Sequence, residues 1–188
     1  MRRRQRSLHL APPVWPTLWL MTDERVDDAH LLRAARRLPR GSGIVLRHHS
    51  LREAERRALF GQLRHITIRR GILLFVAGDE SLAARWGADG SHGRGTGGRR
   101  ALPRSAPVHD RRELRAAQRQ GADLIFLSPL FPTRSHPGSG ALGAGRFAAL
   151  ARMANVPVMA LGGVAGRHGA TIRALGAAGF GAIDSLSR

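Results

Sequence analysis

Short apolar runs alternate along the chain with segments whose apolar residues recur every three or four positions. Residues 18–22, Leu-Trp-Leu-Met-Thr, form the first run and read as a strand. Residues 28–38 read as a helix opened by Asp28, with Ala29, Leu31, Leu32 and Ala35 on one face. Residues 43–47 make a second strand. Ser50, with Glu53 three positions on, has the form of a capping box and opens a helix to residue 63. Residues 72–76 are apolar without interruption, the pattern of a parallel strand covered on both faces. Asp79 caps a short helix over 80–86, and Gly87 ends it.

A weak internal echo follows. Gly87-Ala88-Asp89, Gly121-Ala122-Asp123 and Gly176-Ala177-Ala178-Gly179 each come after a helix and lead into an apolar stretch. The glycine ends the helix and the next residues launch a strand. The second half reads as a helix over 110–120, a strand over 123–127, a helix over 145–153 and a strand over 156–161. A helix over 168–175 and a last strand over 181–183 complete it. Residues 105–108 serve as a poor fifth strand if the count is to reach eight. Repetition of strand and helix implies a parallel α/β sheet. Two architectures satisfy it: a small (βα)8 TIM barrel with a truncated final helix, or an open doubly wound sheet. Residues 1–17 read as a basic, proline-containing extension ahead of one domain over 18–188.

Composition narrows the chemistry. All 31 basic residues among the 188 are Arg and none is Lys, against 13 acidic residues, for a formal charge of +18. Without Lys there is no Schiff-base or P-loop lysine. Without Cys there is no disulfide, thiol nucleophile or thiolate metal site. Tyr is absent and aromatics are 5%, so no stacking platform for single-stranded nucleic acid is apparent. No apolar run has the length of a membrane span, and Pro12, Pro13 and Pro16 break the stretch after the basic start. The expected location is cytoplasmic. Residues 93–104 and 132–145 are rich in Gly, Pro and Arg and read as loops.

In parallel βα folds the functional residues gather where strands end. Those positions hold Thr22 and Asp23, Arg47 to His49, Gly78 and Asp79, His92, His109, Ser128 and Pro129, Gly162 and Gly163, and Asp184 and Ser185. Arginine, histidine, glycine and hydroxyls with few carboxylates suit an anion such as phosphate. Leu161-Gly162-Gly163-Val164 carries the best single argument: paired glycines admit a ligand to the backbone, and a following helix start favours negative charge.

The chain also resembles a known family. Leu18-Trp19-Leu20-Met21-Thr22-Asp23 is similar to the opening of thiamine-phosphate synthases and thiazole tautomerases. The likeness continues through Val45-Leu46-Arg47, 87–92, Val108-His109-Asp110, 121–123, 128–133 and 157–164. It implies a (βα)8 barrel, a role in thiamine biosynthesis, phosphorylated pyrimidine and thiazole substrates, and Mg²⁺. It also implies catalytic roles for Arg47, His49 and His109, and phosphate binding by Thr133, Arg134, His136, Gly162, Gly163, Asp184 and Ser185. Departures are plain. His49 stands where the family has lysine, and Ala77-Gly78 where it has Asn-Asp. The second acidic position falls near Gly97, and His136 replaces another lysine. Asp79 is then the one candidate metal ligand near the expected carboxylates. A metal-independent tautomerase using His109 is an alternative. So is a non-enzymatic binder of a phosphorylated ligand or of RNA, using Arg94, Arg99, Arg100, Arg104 and the arginines at 111, 112, 115 and 119. A histidine metal site (His49, His92, His109, His136) is a further one. The partners expected are small phosphorylated molecules rather than a membrane or nucleic acid; a homodimer is left open.

Overall fold

The computed structural model describes residues 14–95, 101–132 and 140–183. Eight parallel strands pair in chain order and close on themselves, β1 against β8. They are β1 (Leu18–Met21), β2 (Gly43–Leu46), β3 (Leu73–Ala77), β4 (Gly90–His92), β5 (Arg104–Val108), β6 (Leu124–Leu127), β7 (Val158–Ala160) and β8 (Gly179–Ala182). The helices are α1 (Asp28–Arg37), α2 (Glu53–Arg70), α3 (Glu80–Trp86), α4 (Arg111–Arg119), α5 (Gly143–Met153) and α6 (Gly169–Ala174), the last preceded by a 3-10 turn. The open-sheet alternative is thereby excluded.

The barrel interior is filled by rings. Trp19 on β1 meets Phe75 on β3 and Phe126 on β6 edge to face, at centroid separations of 5.2 and 5.5 Å. All three are fully buried, and burial of each stabilises the fold by about 2–3 kcal/mol. Room for them comes from glycine: a Cβ at Gly43 would overlap the Trp19 ring, and one at Gly90 the Phe75 ring. The N-terminal segment joins this layer, with Trp15 edge-on to Phe75 and Pro16 C=O accepting from Trp19 Nε1.

Outside the barrel the apolar packing forms two half-shells. One joins the outer faces of β1–β3 to α1–α3, and the other joins β5–β8 to α4–α6. They part where the chain passes from β4 to β5 with no helix among the described residues.

The repeated Gly-Ala-Asp has a structural cause. Gly87, Gly121 and Gly176 take φ of +70°, +71° and +89°, ending the helices before them. Asp89 then accepts the Leu74 N–H at 2.8 Å and Asp123 the Arg104 N–H at 2.9 Å, pinning the starts of neighbouring strands.

Several boundaries differ from the sequence expectation. Asp27, not Asp28, caps α1, accepting the His30 N–H at 2.9 Å. α2 begins at Glu53 and runs to Arg70 instead of residue 63, because Gly71 supplies the left-handed stop at φ +60°. Ser50 makes no cap; Glu55 folds back on the Arg52 N–H instead. β7 and β8 are shorter or earlier than expected, and the helix over 168–175 is split between the 3-10 turn and α6.

Candidate functional site

Because the strands are parallel, every strand end predicted to carry chemistry lies at one pole. A cleft of about 390 Å³ opens there between the β1 and β2 loops, lined by Thr22–Arg25 and Arg47–Ser50. Thr22 is its hub. Its buried hydroxyl accepts the Arg47 N–H at 2.9 Å and lies 2.9 Å from His48 Nδ1. Its carbonyl accepts Arg47 Nε at 2.7 Å. Asp23 receives Arg25 through Nε and Nη2, both at 2.8 Å, and Arg47 Nη2 at 3.5 Å. Hydrogen bonding from Arg25, aided by the charge of Arg47, lowers the Asp23 pKa to about 2 despite the cost of burial. Glu24 reaches across to the Ser50 N–H at 2.9 Å and the Ser50 hydroxyl.

The two guanidinium groups and two carboxylates lining the cleft balance at neutral pH. Burial lowers the pKa of both His48 and His49, so neither adds charge there. A bound anion would therefore lean on Arg47 and Arg25, and His49 would contribute on protonation.

Arg56, on α2, donates through Nη2 to the C=O of Leu46 (3.2 Å) and of Ala77, tying the ends of β2 and β3 together. It stacks on Trp86, 5.6 Å from the ring centroid. The sequence offered no sign of this role, since Arg56 lies in a helix amid other arginines. His92 closes the barrel interior under the rim. It is buried, 2.9 Å from the Ser105 hydroxyl through Nδ1 and edge-on to Phe126 at 5.4 Å. Burial, with the charge of Arg47 a lesser cause, lowers its pKa to about 3.

His109 follows β5 and is half exposed; its N–H and Nδ1 each meet Glu113 Oε2 at 2.8 Å. Asp110 caps α4. Gly162 and Gly163 take φ of +84° and +65°. A Cβ at Gly162 would lie 2.6 Å from Pro129 Cβ, and one at Gly163 2.8 Å from Phe131 Cβ, so this turn is packed against the β6 loop. Thr133, Arg134, His136, Asp184 and Ser185 lie outside the described residues.

The Mg²⁺ implied by the resemblance needs hard oxygen ligands. Gly78 offers none. Asp79 Oδ1 is already engaged as the α3 cap, by the Leu82 N–H at 2.7 Å and the Ser81 hydroxyl at 2.8 Å. Among the described residues no three His, Asp or Glu side chains gather into a metal-binding group; of the four histidines proposed as a metal site, His136 lies outside the described residues. The described donors do not make a Mg²⁺ site.

Closed parallel strands with their candidate chemistry at one pole define a (βα)8 barrel protein. The family model for thiamine monophosphate synthase matches residues 18–186, and the chain belongs to that family. It is 32% identical to the thiamine-phosphate synthase of Chromobacterium violaceum, over 93% of this chain and 90% of that protein. It is 30% identical to the thiamine biosynthesis bifunctional protein ThiED of Geobacter sulfurreducens, over 90% of this chain but 36% of that longer relative. Among solved structures, the thiamine phosphate pyrophosphorylase of Pyrococcus furiosus superposes with a TM-score of 0.74 at 21% identity, covering 92% of this chain and 88% of that one. FabK of Thermotoga maritima gives 0.71 at 16% identity, over 91% of this chain and 58% of that one, a likeness of fold.

Proposed function

We propose that the chain is a transferase of thiamine biosynthesis that couples hydroxymethylpyrimidine diphosphate to thiazole phosphate. In that reaction the bond from the pyrimidine methylene carbon to diphosphate oxygen breaks, and diphosphate leaves with the electron pair. The thiazole nitrogen then gives its lone pair to the same carbon. The demand on the protein is to hold the departing negative charge. The observation that carries this reading is Arg47, buried along most of its length and fixed by Thr22 and Asp23 at the cleft. Arg25 and His49 stand beside it. Gly162 and Gly163, with Thr133, Arg134, His136, Asp184 and Ser185, are assigned to the phosphates by resemblance.

A second reading, a thiazole tautomerase, is supported by the His109–Glu113 pair, since a carboxylate-oriented imidazole suits proton transfer. One set of assays separates the two. With both substrates and Mg²⁺, wild type should form the coupled product. Arg47→Ala should lower its rate by about 100-fold, the scale of a lost charge stabiliser, while His109→Ala should leave most of it. No coupled product, with thiazole tautomerisation abolished by His109→Ala, would replace the first reading with the second.

A further inference from the structure

His48 is the single non-glycine residue among the described residues with positive φ, at +28°. An L-residue is held there against its own preference, and such positions persist where surroundings over-determine them. Here the surroundings are explicit. His48 is buried, and its Nδ1 lies 2.9 Å from the Thr22 hydroxyl. That oxygen already accepts the Arg47 N–H at 2.9 Å. Thr22 is itself buried, which favours a protein acceptor for its hydroxyl proton. His48 Nδ1 is the acceptor in reach. The hydroxyl therefore donates to Nδ1, and His48 is the neutral tautomer carrying its proton on Nε2.

We infer that Thr22 is a positioning residue: its hydroxyl, clasped between the Arg47 amide and the His48 imidazole, locks the β2 turn so that Arg47 faces the anion. The clasp spans β1 and β2 at the point where both enter the cleft. It acts on the backbone at Arg47, while the Thr22 carbonyl holds the same side chain through Nε. Arg47 Nη1 makes no hydrogen bond to a described residue, which leaves that edge of the guanidinium for the ligand. Thr22 touches no reacting group; it works through Arg47. This rests on the anion-site reading above and assigns that site its support.

The test is calorimetric titration of inorganic diphosphate into wild type, Thr22→Val, Thr22→Ser, Arg47→Ala and the Thr22→Val/Arg47→Ala double variant, with circular dichroism checking the fold. Valine keeps the shape and removes the hydroxyl. Thr22→Val should bind about tenfold more weakly, the scale of one charged hydrogen bond set out of line. Thr22→Ser should bind within about threefold of wild type, since serine keeps the donor and acceptor. The double variant should bind no more weakly than Arg47→Ala, because Thr22 acts only through that side chain. Wild-type affinity in Thr22→Val, full additivity in the double variant, or failure of serine to rescue would each overturn the inference while leaving the anion site standing. A wild type that takes no diphosphate would sink the anion site and the inference with it. Should Thr22→Val not fold, His48→Ala with His48→Asn as its rescue replaces it under the same criteria, asparagine being tolerant of left-handed φ.

Discussion

His92 shows how far a single residue can be driven from its ordinary behaviour. An imidazole with a pKa of about 3 stays neutral throughout the physiological range, whereas the same residue in the unfolded chain takes a proton near pH 6.5. Its folded value is the depressed one, so the stability it confers is complete above about pH 6.5 and is lost as pH falls toward 3. Between those limits unfolding should become easier by about 1.4 kcal/mol per pH unit from this residue alone. Urea unfolding of wild type and His92→Gln at pH 7, 6 and 5 checks it: the variant's midpoint should vary less with pH. A parallel course for both proteins would show that His92 does not govern acid sensitivity. Legibility at this scale was mixed. Thr22, Arg47, His48 and His92 were visible as strand-end residues, because parallel topology fixes which end matters. That Thr22 and His48 would meet was not visible, since nothing in a linear pattern reports a contact between residues 26 apart. His109 looked like a proton-transfer group and is held by Glu113, four positions on, a spacing that could have been read from the helix.

At the scale of elements, the alternation of runs is enough to find six strands; β4, the short Gly90-Ser91-His92, is implied only by the Gly87-Ala88-Asp89 echo before it, and β5 comes from counting. β5 is hard to read because Arg104, Ser105 and Pro107 interrupt its apolar pattern; the buried Arg104 donates instead through Nη1 and Nη2 to the C=O groups of Gly93 and Gln120. A helix start is ambiguous by a residue where two polar candidates stand together, as at Asp27 and Asp28, of which Asp27 is the cap. The capping pattern at Ser50 goes unused because its hydroxyl is claimed by Glu24 from another loop. Glycines separate the elements by role. Gly162 sits in the turn after β7, at φ +84° and against Pro129. Gly162→Ala should cost about 3 kcal/mol, combining the left-handed penalty with overpacking. Gly145 lies inside α5 with nothing within 4 Å of a built Cβ. Gly145→Ala should stabilise by about 0.5–1 kcal/mol. Denaturant midpoints with unchanged m-values check both, and equal signs would show that the turn is not packed as described.

For the molecule as a whole, a charge of +18 invites polyanions irrespective of any site. Arg111, Arg112, Arg115 and Arg119 all stand exposed on α4. Binding of single-stranded RNA should fall steeply with salt, be negligible by about 0.2 M, and be unaffected by saturating diphosphate. RNA retained at that salt and displaced by diphosphate would make nucleic acid the occupant of the rim instead. Fluorescence anisotropy with and without diphosphate decides it. The ring-filled interior has a consequence of another kind. Trp19, Phe75 and Phe126 leave no passage along the axis, so whatever enters by the mouth has to back out the same way. A spent molecule lingering there blocks the next arrival, and turnover in such a dead-end vessel is bounded by how quickly it empties.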